Sequence, residues 1–207
     1  MNPRVPGSGP GKVAIIDGGG ANIASLRFAL ARLGVDGELT ADADAIRSAS
    51  HVILPGVGAA RAAMDRLQQK GLDAVIPRLT QPVLGICLGL QLLFERSEED
   101  DTQCLGILEG VVRRFTPAPG RPVPHMGWNQ VTASRATPLL AGVPDGSYFY
   151  FVHSYAAEPG AATVGQADYG WPFSAVVESR NFLATQFHPE RSGALGARVL
   201  DNFLRRY

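Results

Sequence analysis

Pro82-Val83-Leu84-Gly85-Ile86-Cys87-Leu88-Gly89-Leu90-Gln91-Leu92-Leu93 opens as an apolar run of strand length and closes as a leucine-rich segment that reads as a helix. Between the two sits Gly85-x-Cys87-x-Gly89, a glycine-flanked nucleophile pattern with cysteine where serine is more common. A sharp strand-to-helix turn leaves no room for side chains beside the nucleophile, so both flanking residues must be glycine. Such a turn lifts Cys87 above the sheet edge and sets its sulfur at a helix N-terminus, whose positive end favours thiolate. A buried cysteine in an ordinary tight turn fits this stretch equally well when it is read alone.

Working outward, Lys12–Asp17 (Lys-Val-Ala-Ile-Ile-Asp) reads as a buried strand, followed by Gly18-Gly19-Gly20 and a helical pattern from Asn22 to Leu33. The dinucleotide fingerprint that this order raises is incomplete, because Ile23 stands at its third glycine. His51–Leu54 is a second strand, Pro55-Gly56-Val57-Gly58 a turn, and Ala59–Lys70 a helix stopped at Gly71. A further helical segment is expected from Leu72 towards Leu79, shortened or kinked by Pro77. The alternation predicts an α/β fold, a three-layer open sheet with a parallel core and helices on both faces. Glu95–Gln103 reads as a solvated acidic loop, with Cys104 at its end as a packing residue. From Gly110 onward strand-like segments separated by proline and glycine predict a mixed or antiparallel extension of the same sheet, closed by a helix over Gly193–Arg205. Residues 1–11, rich in proline and glycine, read as a disordered leader without the apolar stretch of a signal peptide, and 12–207 as one domain.

Composition narrows the function classes. Lys+Arg and Asp+Glu stand at 19 each, so no basic block favours nucleic acid or an anionic membrane surface. No apolar run reaches spanning length. The two cysteines, 87 and 104, lack metal-ligand spacing and suggest reduced thiols in a cytoplasmic protein; neither a metal nor a cofactor is expected.

A nucleophilic cysteine needs a base, and the base an orienting group. Of four histidines, His51 opens a strand and is read as structural or surface; His125 and His153 stay possible. His188 in Gln186-Phe187-His188-Pro189-Glu190 is the strongest, because Pro189 holds it extended and an extended chain puts His188 and Glu190 on one side. Cys87, His188 and Glu190 thus make a triad by role. The N–H of Leu88, and a donor from the Val57-Gly58 peptides, would form the oxyanion hole.

Together, the elbow, the Gln-Phe-His-Pro-Glu and the Pro-Gly-Val-Gly resemble the class I (triad-type) glutamine amidotransferases. Pro124–Asn129, Tyr150–Tyr155 and His188–Gly193 look like the branch that forms the glutaminase subunit of imidazole glycerol phosphate synthases. The resemblance implies hydrolysis of L-glutamine through Cys87, His188 and Glu190. It implies that Gly58, Gln91, Ser154 and Tyr155 hold the substrate's amino-acid end. It further implies a heterodimer with a (β/α)8-barrel cyclase subunit, met by Trp128, Asn129, Tyr150 and Arg191, which uses the ammonia in histidine biosynthesis. Two departures stand out: the early loop reads Asp17-Gly18-Gly19-Gly20-Ala21-Asn22 where the family has Asp-Tyr-Gly-x-Gly-Asn, and Arg191 replaces a lysine. A stand-alone amidase or cysteine peptidase on this fold would need no partner, and a binding module would require a broken triad.

Overall fold

The computed structural model describes residues 11–18 and 23–207. The expected leader and the altered glycine loop therefore fall, but for Gly11, Asp17 and Gly18, outside the described residues.

The chain runs β1 (Val13–Ile16), α1 (Ile23–Arg32), β2 (Gly37–Thr40), α2 (Ala43–Ser48), β3 (His51–Gly56), α3 (Ala60–Gln69), β4 (Val83–Cys87) and α4 (Leu88–Gln91). It continues through β5 (Arg96–Ser97), β6 (Thr102–Gln103), β7 (Val111–Arg114), β8 (His125–Ala133), β9 (Ser147–His153) and β10 (Tyr155–Ala157). β11 (Thr163–Asp168), β12 (Pro172–Ser179), β13 (Phe182–Thr185) and α5 (Gly193–Arg206) complete it.

Among the described residues nine strands form one sheet in the order β2-β1-β3-β4-β13-β12-β11-β8-β9. Pairing is parallel from β2 to β13 and antiparallel from β13 to β9, the parallel core and antiparallel extension that the sequence predicts. The parallel strands are apolar along their length because both faces are covered. In β1, Val13 and Ile15 pack with Leu26 and Leu30 of α1 and Val199, Leu200 and Phe203 of α5. Ala14 and Ile16 face the other way, onto Ile46 of α2 and Met64 and Leu67 of α3.

Several expectations are corrected. The 35–50 stretch contains β2 and α2, which the sequence reading passed over; α2 is a short helix whose N-cap Asp42 accepts from Ala45 N at 2.7 Å. The helix expected over Leu72–Leu79 is one 3-10 turn at Ile76–Arg78, because Gly71 has left-handed backbone (φ 65°) and Pro77 lacks an N–H. The leucine-rich segment after the elbow holds only a single α turn, so the helix dipole at Cys87 is slight. Glu95–Gln103 is not a free loop: β5 and β6 pair within it, and β10-β7-β5-β6 make a second, small sheet. His51 is fully buried, edge-on to Phe203 at 5.2 Å, which settles it as structural.

Candidate active site

The site forms where three adjacent parallel strands end. β4 lies between β3 and β13, with Gly56 beside Cys87 and Thr185 beside Ile86. Strand adjacency thus delivers the Pro-Gly-Val-Gly turn and the Gln186–Glu190 segment to opposite sides of one cysteine. Open parallel sheets place their ligand crevices at this carboxyl end.

Cys87 itself has φ 53° and ψ −108°, a left-handed backbone for a non-glycine residue. Such conformations cost on the order of 1–3 kcal/mol and persist only where surroundings enforce them. The enforcement is visible at its neighbours. A Cβ on Gly85 would lie 2.8 Å from Gly89 O, and one on Gly89 only 1.9 Å from Leu54 O. The elbow is therefore wedged against β3, and both glycines are there for close approach.

His188 is extended (φ −94°, ψ 98°) before Pro189, as expected. Its Nδ1 is 2.8 Å from Glu190 Oε1, and both side chains are 7% exposed. Nε2 is buried and finds no hydrogen-bond partner among the described residues, while His188 as a residue lines the same cleft as Cys87. Burial pulls the imidazole down, but attraction to Cys87 and Glu190 more than offsets it and raises His188 to about 10. The His188 backbone is pinned to β9: its N–H donates to Tyr150 O at 2.9 Å, and Ser192 Oγ donates to His188 O at 2.7 Å.

The cleft has a volume of about 400 Å³, within the range of small-molecule sites. Cys87, His188 and Glu190 line it together with Val57, Gly58, Leu88, Gln91, Ser154 and Tyr155, so the expected nucleophile, oxyanion and substrate residues do converge. Arg191 lines it too; its guanidinium stands 4.5 Å over the Tyr150 ring, and Trp128 meets Tyr150 edge-on at 6.1 Å. Trp128 is 56% exposed, as an interface anchor would be. Asn129 does not join them. Alternation along β8 turns it to the inner face, where Nδ2 donates to Asp168 O at 2.8 Å.

Three features escaped the sequence reading. Glu99 lines the cleft and accepts from Ala60 N at 2.7 Å; burial pushes its carboxyl pKa up, and the Ala60 bond holds it back only partly. Its acidic neighbours made it look like solvated loop. His125 and His153 form a buried pair, Nδ1 to Nε2 at 2.9 Å, with His153 Nδ1 donating to Tyr155 O at 2.8 Å. Burial lowers them to about 4 and about 3, so they are neutral and structural, not competing bases. Gln186 is fully buried against Cys87. No sequence period signals such contacts, because they join strands far apart in the chain.

The described residues contain no group of three or more potential metal ligands and no helix long and apolar enough to cross a membrane. An elbow cysteine and a carboxylate-held histidine thus share one cleft of small-ligand size. The chain belongs to the class-I glutamine amidotransferases, whose family model matches residues 14–207. It is 55% identical over 193 residues to the imidazole glycerol phosphate synthase subunit HisH of Xylella fastidiosa, covering 93% of this chain and 96% of that one. The same subunit of Xanthomonas axonopodis pv. citri is 55% identical over 192 residues, with the same coverage. Among solved structures, a glutamine amidotransferase aligns with TM-score 0.73 at 18% identity over 94% of this chain and 97% of that one. A glutamine amidotransferase of Thermotoga maritima aligns with TM-score 0.65 at 18% identity, over 95% and 81%. At those identities the likeness is one of fold.

Proposed function

We propose that the chain is the glutaminase subunit of an imidazole glycerol phosphate synthase, hydrolysing glutamine to glutamate and ammonia. The observation that carries the chemistry is the buried 2.8 Å His188–Glu190 pair lining one cleft with an elbow cysteine. The 55% identity to HisH subunits supports the biological setting.

The Cys87 sulfur attacks the side-chain carbonyl carbon of glutamine, and the carbonyl electrons move to oxygen. The N–H of Leu88 and a donor from Val57-Gly58 stabilise that oxyanion. On collapse the C–N bond breaks and His188 supplies the proton that lets ammonia leave. Glu190 holds the imidazole by Nδ1, leaving Nε2 towards the sulfur. Water, deprotonated by His188, then cleaves the thioester, restoring the thiol and releasing glutamate. The substrate's ammonium needs an anion and its carboxylate needs donors. Glu99 suits the first need, and Gly58, Ser154 and Tyr155 the second. Gln91 commits its Nε2 to Tyr155 O and Gln186 Oε1, so its oxygen is what it can offer a ligand.

Ammonia passes to a cyclase subunit, read as a (β/α)8 barrel, that makes imidazole glycerol phosphate and aminoimidazole carboxamide ribotide. The exposed Trp128, with Tyr150 against it and Arg191 reaching from Tyr150 to the cleft, forms the docking rim; aromatic and arginine anchors are typical of such rims. The test is glutamine turnover with and without the cyclase and its nucleotide. Low turnover alone, a sharp rise with the partner, and loss of both in Cys87→Ala are expected. Full glutaminase activity in Cys87→Ala would refute the mechanism, and fast unstimulated turnover the subunit role.

A further inference from the structure

Gln186 lies two residues before His188 on the segment leaving β13. In an extended chain residues two apart face one way. Phe187 between them points away and stacks on Phe149 at 4.0 Å. Gln186 and His188 are thus both presented to the cleft side, and Gln186 Nε2 stands 3.7 Å from Cys87 Sγ.

Its orientation is dictated by the backbone. Gln91 Nε2 donates to Tyr155 O at 2.8 Å, and a carbonyl can only accept. The same NH₂ group meets Gln186 Oε1 at 3.1 Å, so Gln186 must turn its oxygen to Gln91 and its NH₂ to the sulfur. Besides His188, the sulfur has Val152 O as a close polar neighbour, 3.7 Å away, which accepts from an S–H but repels a thiolate. Thiol and thiolate therefore have different partners, and Gln186 is the neutral donor for the anion.

We propose that Gln186 is a positioning residue that donates an N–H to the Cys87 sulfur and biases it towards thiolate. The inference rests on the glutaminase reading of the same cleft. The donor is fully buried, where a hydrogen bond to an anion is stronger than one between neutral groups. The relay Tyr155–Gln91–Gln186 ends at residues assigned above to the substrate, so the donor is held by the wall that contacts glutamine.

The test is the pH dependence of iodoacetamide alkylation of Cys87 in the full chain, in a Cys104→Ser background so that one thiol reports. The charged and titratable groups lining the cleft, namely Glu99, His153, Tyr155, His188, Glu190 and Arg191, are the same in every variant. Gln186→Met keeps the volume and removes the donor. The expected result is an upward shift of the alkylation midpoint by about one unit, a roughly tenfold slower reaction at neutral pH, with the slope unchanged. Gln91→Met, which frees the Gln186 amide to rotate, should shift it the same way by less. An unmoved midpoint in a folded Gln186→Met overturns the inference. If neither variant folds, the Gln186 side-chain amide resonances of the unmutated chain must move with the alkylation midpoint; resonances that stay fixed overturn it. Alkylation needs no glutamine, so wild-type chain that alkylates as expected but yields no ammonia even with the cyclase and its nucleotide would sink the glutaminase reading alone.

Discussion

Gly89→Ala is the sharpest test of the elbow. The added methyl would lie 1.9 Å from Leu54 O and 3.0 Å from Leu54 C. Opening the first contact to even 3.0 Å needs a displacement of 1.1 Å, the difference of those figures. No rotamer relieves it, because the obstacle is backbone of β3, paired to β1 on one side and β4 on the other. Overpacking against such a frame costs about 3 kcal/mol. Alanine in place of glycine in a helical turn returns about 1 kcal/mol, so a net loss of about 2 kcal/mol is expected. The turn that moves carries Leu88 N–H and the sulfur, and a shift near 1 Å at reacting groups lowers turnover on the order of 10²-fold. Urea unfolding gives the stability, and glutamine turnover with the partner gives the second quantity. Gly160→Ala is the control: its Cβ meets nothing within 4 Å, so it should stay within about 0.5 kcal/mol of wild type. Gly89→Ala matching Gly160→Ala in both measurements would show that the close approach does not shape the site.

The His125–His153 pair makes folding acid-sensitive above the carboxylate range. Both folded values lie below the ordinary 6.5, so their stability is fully present above pH 6.5 and drains as pH falls towards about 4 and about 3. Two extra protons on the unfolded chain give a slope approaching about 2.7 kcal/mol per pH unit between pH 6.5 and 5, read by urea titration; a flat profile there contradicts the buried neutral pair. His188 behaves oppositely. Its value is raised to about 10, so its contribution is complete below 6.5 and is lost as pH rises through about 10. Glu190→Gln should bring that titration down by one to three units in histidine NMR spectra and cut turnover sharply, and an unshifted titration would separate Glu190 from the ring. Trp128→Ala should leave thermal stability within a few degrees while lowering partner-stimulated turnover at least tenfold at limiting cyclase; unchanged stimulation would remove Trp128 from the interface.

How much of this was legible in the sequence depends on how far each cause reaches along the chain. The elbow, the extended His188-Pro189-Glu190, the parallel core and the antiparallel extension are local matters. Glycine beside a nucleophile, proline after histidine and uninterrupted apolar runs each act within a few residues, and so could be read directly. The short α2 and the one-turn α4 went unseen or overextended, because tertiary packing sets their lengths more than propensity does. Only the order β3-β4-β13 brought Cys87 between the Pro-Gly-Val-Gly turn and His188. Only strand pairing turned Asn129 inward, brought Glu99 to the cleft and set Gln186 against the sulfur. The residues named the chemistry because reactivity belongs to side-chain type; the arrangement waited on the fold because hydrogen bonds between distant strands leave no period in the sequence.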